Sequence, residues 1–366
     1  MTEVQILKTP LYEKHVQNEG KIVPFAGYYL PVQYPAGVIA EHKAVREGVG
    51  LFDVSHMGEV LFCGKDALAN IQHLLCNNFA SLQPGRIRYS PMLNAQGGVI
   101  DDVLVYCVSG EEYLMVVNAA NRHKDVKHIM AEKHGDVSIT DVSDSYCQLA
   151  LQGPKAEAVL HTLVAQECIP QKYYSFLQDV DVKGVNCLIS RTGYTGEDGF
   201  ELYADAKDAE RLFDLLTEAG KAFDLQLCGL GCRDTLRMEA AMPLYGHEMD
   251  DTVSPLETGL DHFVKLDKDD FIGKAALVAA GMPTRARVGL KMIGRGIARE
   301  HFPVFAGETE IGHTTSGTFI PTQEAALAMA LISAEHCAIG TRLFVDIRGK
   351  KVEAEVVPLP FYSRKK

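Results

Sequence analysis

No run of apolar residues in this chain approaches the ~20 that a membrane helix needs; the longest, such as Ala325 to Ile332, stop far short. The nine cysteines, scattered from Cys63 to Cys337, are odd in number and contain no C-x-x-C pair, which argues against a disulfide framework and a zinc knuckle alike. Cys228 and Cys232 stand four apart, but no second pair follows to complete a metal site. Basic excess is also missing. Against 48 Asp and Glu there are 36 Lys and Arg, and the net charge of -12 opposes non-specific attraction to nucleic-acid backbones or anionic membranes. Met1-Thr2-Glu3-Val4-Gln5 carries neither a secretory apolar core nor a transit signal. The expectation is a cytoplasmic protein with small-molecule or protein partners, no nucleic acid, no membrane and no metal.

Two nucleotide fingerprints are incomplete. Gly229-Leu230-Gly231 runs on to Asp234 where a dinucleotide G-x-G-x-x-G needs glycine. The glycine-rich loop from Arg191 to Phe200 lacks the lysine of a phosphate loop and carries acids that repel phosphate. What the chain does have is size and a balanced composition: 366 residues, 47% hydrophobic and 23% charged, enough for two or three domains with their own cores.

One stretch stands out. Gly97-Gly98-Val99-Ile100-Asp101-Asp102-Val103-Leu104-Val105-Tyr106 sets two adjacent carboxylates into a buried-strand pattern. Alternation groups Asp101 with Val99, Val103 and Val105, and Asp102 with Ile100, Leu104 and Tyr106. A carboxylate against apolar neighbours loses hydration, and unless paired its pKa rises, which suits acid–base work. The plainer alternative is a strand just beginning, with one Asp capping the turn and the other at a solvated edge.

Along the chain, the spacing of Ile39, His42, Val45 and Arg46 predicts a helix after a Pro/Gly/aromatic loop through Phe25 to Pro31. Gly48 to Phe62 reads as a turn feeding a strand that carries Ser55-His56-Met57; strand neighbours point to opposite faces, so Ser55 and His56 are no catalytic pair, and His56 reads as a buried structural histidine. Tyr89 to Asn94 leads as a hairpin into the two-acid strand. Glu112 to Asn118 is a strand before a helix from Ala120 to Lys133. Strands over 137–141 and 146–152, a helix over 155–164, a hairpin turning at Lys183-Gly184 and a helix over 208–223 follow. In the helix opened by Cys228, Arg233 and Arg237 share a face at i,i+4, which alone is compatible with a solvated salt-bridge face. Five short strands between residues 288 and 357 alternate with Gly, Pro and Asp turns, the pattern of a small β-barrel.

Five blocks, in order, resemble the T-protein (aminomethyltransferase) family of the glycine cleavage system: Phe52 to Met57, Gly97 to Asp102, Gly193 to Glu197, Gly229 to Arg237, and Thr315-Ser316-Gly317-Thr318. Cys232 stands where the family usually has Ala, and Thr322-Gln323-Glu324 departs from its usual continuation; neither removes a residue expected at substrate. The resemblance implies an α+β fold, a three-domain cloverleaf ring around a central folate channel with a C-terminal β-barrel domain. It implies a folate-binding region over 1–280, made of two interleaved α+β domains (about 1–50 with 137–265, and about 51–136), then a barrel over 285–366.

The resemblance further implies transfer of a one-carbon unit from aminomethyl-dihydrolipoyl H-protein to tetrahydrofolate, a co-substrate, with release of ammonia. Spacing alone does not choose between Asp101 and Asp102; the resemblance assigns catalysis to Asp101. It points to Glu201 as the reader of the pterin edge, Arg233 and Tyr194 beside it, Met57, Tyr89 and Asn118 as pocket lining, and Arg364 as a partner for the folate glutamate. Glu197 and Asp198 read as structural. Two alternatives are a related module of the sarcosine or dimethylglycine oxidases, which usually carry a flavin domain, and a folate-binding accessory protein without transferase activity.

Overall fold

Alternating apolar residues at Leu149, Leu151, Phe200 and Leu202 build the central strands of a six-stranded sheet in the computed structural model, which describes residues 6–364. The chain divides into two compact units. The first holds residues up to Asn70, Ser81–Arg88 and Leu104–Asp234; the second holds Ile71–Ala80, Tyr89–Val103 and the chain from Thr235 onward. The fold is α+β and ends in a closed six-stranded barrel.

In the first unit a six-stranded sheet runs in the order Phe176–Val182, Val185–Ser190, Gly199–Asp205, Tyr146–Gln152, Gly50–Asp53 and Gln226–Leu227. Its neighbours pair antiparallel except the last two. One face packs on the helices Ala156–His161 and Ala209–Gly220. The second helix is amphipathic: Ala209, Leu212, Phe213 and Leu216 fall on one stripe and are buried. Each large side chain so buried stabilises by about 1.5–3 kcal/mol. Register turns Gln148, Ala150 and Gln152, with Glu201, Tyr203 and Ser190 on the neighbouring strands, to the opposite face. That face is polar yet buried, and the candidate site is built on it.

Three segments differ from the sequence reading. The residues read as a loop through Phe25 to Pro31 form a hairpin, Ile22–Phe25 with Tyr28–Pro31, turning at Ala26 and Gly27 in the left-handed region. Ser55-His56-Met57 lie not in a strand but in the turn between Gly50–Asp53 and Gly58–Cys63. The barrel, closed in the order Arg285–Met292, Ala325–Ser333, Thr309–Ile320, Pro303–Ala306, Arg342–Asp346 and Lys351–Val357, uses one strand more than the pattern showed, Pro303–Ala306. Val288, Leu290, Ala330, Ile332, Leu343 and Val356 fill its interior.

Candidate active site

The two-acid strand spans Val99–Cys107. Its entry turn is fixed by Asn94, whose side-chain oxygen accepts from the amides of Gln96 at 2.9 Å and Gly98 at 3.0 Å. Gly98 has no side chain for a reason: a Cβ there would sit 1.9 Å from the carbonyl oxygen of Asp251. That close approach lets the Val99 amide donate to Asp250 O at 2.9 Å and seats the 250–253 segment against the strand. Asp101 is wholly buried with Val99 and Val103, as alternation requires, whereas Asp102 is half-buried and accepts a 3.0 Å hydrogen bond from the Tyr89 hydroxyl. The Tyr89 ring meets Phe263 at 4.6 Å between centroids. Tyr245, which sequence reasoning passed over, donates to Asp251 at 3.1 Å. Burial first, then the charges of Asp251 and Asp101, push its hydroxyl pKa up.

Glu201 belongs to the other unit. It lies on Gly199–Asp205, buried, and accepts from the Thr192 hydroxyl at 2.5 Å. Burial raises its pKa; Thr192, the Arg233 charge and Gln148 oppose that rise. The loop leading to it is pinned by Gln152, which donates to Thr192 O at 3.0 Å and accepts from Thr195 at 2.9 Å. A Cβ on Gly193 would stand 2.0 Å from the Gln152 side-chain oxygen, so a larger residue there would displace the amide that pins the loop. Arg46 ties the loop down through Thr195 O at 2.7 Å and Glu197 at 3.0 Å, and Arg191 pairs with Asp198 and with Glu157 at 2.8 Å. Glu197 and Asp198 thus each pair with a cation that fixes the loop.

Arg233 stands at the start of Leu230–Glu239 with its guanidinium 4.7 Å from the Tyr194 ring centroid, a cation–π contact. Helix entry is held by Glu41, whose two carboxylate oxygens accept from the amides of Gly229 at 3.0 Å and Tyr34 at 2.6 Å. The Arg233 charge reaches both Glu201 and His56. His56 is buried edge-on to Phe25 and Tyr28, and its pKa is lowered to about 4, first by burial and then by Arg233, with Asp53 opposing. Its Nδ1 has no hydrogen-bond partner among the described residues. Ser55 does not engage it: the hydroxyl exchanges hydrogen bonds with the Gln148 backbone at 3.0 and 3.3 Å.

The structure therefore gathers Glu201, Arg233 and Tyr194 in one unit, and Asp101 with Tyr89, on the neighbouring strands Val99–Cys107 and Arg86–Leu93, in the other. Met57 packs half-buried in the apolar cluster of Leu114, Val116, Phe176 and Tyr203. Asn118 is half-buried just past Glu112–Val117, and its carbonyl oxygen accepts from the Asn121 amide at 2.9 Å ahead of the helix Arg122–Ala131. Arg364 lies half-buried in a tail anchored by the Tyr362 amide to Glu239 O at 2.9 Å and by Gln323 to Phe361 O at 2.7 Å. Arg237, compatible in sequence with a solvated face, is buried instead and donates to Glu248 and Ser316, each at 2.7 Å.

Two family models match the chain: the GCVT N-terminal domain over residues 11–268, and the glycine cleavage T-protein C-terminal barrel domain over residues 285–363. The chain belongs to the glycine cleavage T-protein family. An aminomethyltransferase of Desulfitobacterium hafniense (strain Y51) is 51% identical over 368 residues, covering 100% of both chains. One from Bacillus cereus (strain B4264) is 44% identical, covering 99% of this chain and 100% of its own. The crystal structure of glycine cleavage system aminomethyltransferase T from Bartonella henselae superposes with a TM-score of 0.90 at 32% identity, covering 98% of each chain. The protein is an aminomethyltransferase of the glycine cleavage system, a one-carbon group transferase. No described helix is long and apolar enough to cross a membrane.

Proposed function

We propose that this aminomethyltransferase takes the aminomethyl carbon from a dihydrolipoyl arm carried by H-protein and joins it to tetrahydrofolate, giving 5,10-methylenetetrahydrofolate. One folate nitrogen bonds to the carbon as its bond to sulfur breaks; the second closes the ring as ammonia leaves. The two N–H protons depart with the thiol and the ammonia, so the step needs no oxidant. Cationic character develops at nitrogen along the way. A fixed carboxylate stabilises it and accepts a proton, and Asp101 is assigned that role.

Glu201 is assigned the aminopyrimidine edge of the pterin, whose adjacent N–H donors match the two oxygens of a carboxylate. Its buried position, with an opposing cation in Arg233, fits a donor-rich ligand. Arg233 and Tyr194 flank the ligand, Met57, Tyr89 and Asn118 line its pocket, and Arg364 meets the glutamate carboxylate. We also assign the protein to the cytoplasm, in keeping with nine free cysteines, and retain the division into two interleaved α+β domains before a barrel over residues 285–366.

Full-length similarity to aminomethyltransferases, across both family models, carries this reading. Its test is ammonia release from aminomethylated H-protein on adding tetrahydrofolate. Release at the rate of a protein-free control would overturn it.

A further inference from the structure

Behind Glu201, the polar face of the six-stranded sheet holds buried groups that no step above uses. Gln148 pairs in register with Tyr203, and Ser190 with Glu201. Tyr106 reaches the same place from Val99–Cys107. The contacts form a line: Gln148 Nε2 to Tyr203 at 2.9 Å, Tyr203 to Tyr106 at 2.9 Å, Tyr106 to Ser190 at 3.2 Å, Ser190 to Thr192 at 2.7 Å, and Thr192 to Glu201 at 2.5 Å.

Each hydroxyl has one proton to give, and that fixes the direction. The ionised form of Glu201 only accepts, so Thr192 donates to it. Ser190 must then donate to Thr192, Tyr106 to Ser190, and Tyr203 to Tyr106. At its other end the Gln148 amide donates to Tyr203, closing the order, and the same side chain also bears directly on Glu201 through a hydrogen bond that lowers its pKa. All five donors point one way, toward the carboxylate.

We propose that Thr192 is a positioning residue for Glu201, oriented by a one-way chain of donors that starts at the Gln148 amide. The inference rests on the pterin role assigned to Glu201. With one oxygen held by Thr192, the carboxylate has a fixed plane and presents its remaining lone pairs to the ligand's N–H groups. A protonated Glu201 would offer a donor where acceptors are needed, and the Thr192 hydroxyl favours the ionised form by donating to it while accepting from Ser190, whose hydroxyl also lies 3.4 Å from the Glu201 backbone carbonyl. Burial alone works the other way, pushing the Glu201 pKa up. The charged and titratable groups that act on it are Arg233 from Leu230–Glu239, Tyr106 from Val99–Cys107 and Tyr203 from its own strand, with Glu59 acting on Tyr203.

The experiment measures binding of 5-formyltetrahydrofolate, whose N5 does not titrate, to the full chain by calorimetry between pH 5.5 and 8.5. Thr192→Val should weaken binding about tenfold at pH 7, more as the pH falls and less as it rises, because the carboxylate now protonates at higher pH. Thr192→Ser should restore affinity to within about twofold. Tyr106→Phe should act in the same direction and less strongly. In turnover, Thr192→Val should raise the KM for tetrahydrofolate and spare kcat. Unchanged affinity in Thr192→Val, or a loss equal at every pH that serine does not rescue, overturns the proposal; if the valine variant fails to fold, Tyr106→Phe decides by the same pH signature. Glu201→Gln separates the two levels. Unchanged binding in that variant removes the pterin role itself, whereas weakened binding there with normal binding in Thr192→Val removes only the positioning role.

Discussion

Buried acids in this enzyme survive by being matched, and each match sets how it titrates. Asp53 accepts from Thr9 at 2.7 Å, from His15 at 2.8 Å and from the Ser55 amide at 2.9 Å. Burial alone would raise its pKa, but the His15 contact and Ser55 outweigh it and bring the value from 3.8 down to about 2. The unfolded chain then takes up the proton first as the solution is acidified. Stability from Asp53 is therefore fully present above about pH 4 and lost as the pH falls toward 2, of order 2 kcal/mol. Urea midpoints between pH 5 and pH 2 should show this fall in the parent chain and a flatter profile in Asp53→Asn; parallel profiles would contradict it. Glu201 gives the second prediction at this scale. Glu201→Gln should weaken folate by about tenfold or more, since an amide offers one acceptor where the pterin edge needs two. Equal dissociation constants would remove Glu201 from the pterin.

At the scale of elements, the helix Leu230–Glu239 shows what pairing does for a buried cation. Arg237 is 1% exposed and shares Glu248, itself buried, with Ser316 of the barrel strand Thr309–Ile320. Burial opposes the Glu248 charge, but Arg237 and the hydrogen bonds to it prevail, so its pKa lies below the usual carboxylate range. Arg237→Met leaves that acid without its cation and should cost about 3–5 kcal/mol, read from denaturant unfolding; a change under about 1 kcal/mol would show the pair to be idle. Elements of this kind also mark how far the sequence could be read. Strands such as Glu112–Val117 and Tyr146–Gln152 announce themselves by apolar runs between turns. The hairpin over Ile22–Phe25 and Tyr28–Pro31 does not, because Pro24, Gly27 and Pro31 imitate a loop when the partner strand is out of view. Ser55-His56-Met57 has the opposite fault: no Gly or Pro marks its turn until Gly58. Arg237 looked ordinary because its partners lie 11 and 79 positions away. The donor chain behind Glu201 was beyond reach for the same reason, since strand register, not spacing, brings Tyr106, Gln148, Ser190 and Tyr203 together.

For the molecule as a whole, all nine cysteines are free and six are buried, so no covalent cross-link supports the fold. Dithiothreitol should leave the melting temperature unchanged; a clear drop would reveal a bridge. Folate-dependent chemistry was legible through five ordered blocks, while the choice of Asp101 over Asp102 came from resemblance. The structure adds a physical difference between them: Asp101 is fully buried and Asp102 is half-buried on the Tyr89 hydroxyl. The decisive measurement is ammonia release from aminomethylated H-protein, with and without tetrahydrofolate, for the parent enzyme and Asp101→Asn, alongside folate binding by calorimetry. Tetrahydrofolate should strongly stimulate release in the parent, and the variant should lose most of its turnover while keeping folate affinity within about tenfold, ~1.4 kcal/mol. Full turnover in Asp101→Asn, or a collapse of its folate affinity, would take the catalytic role away from Asp101.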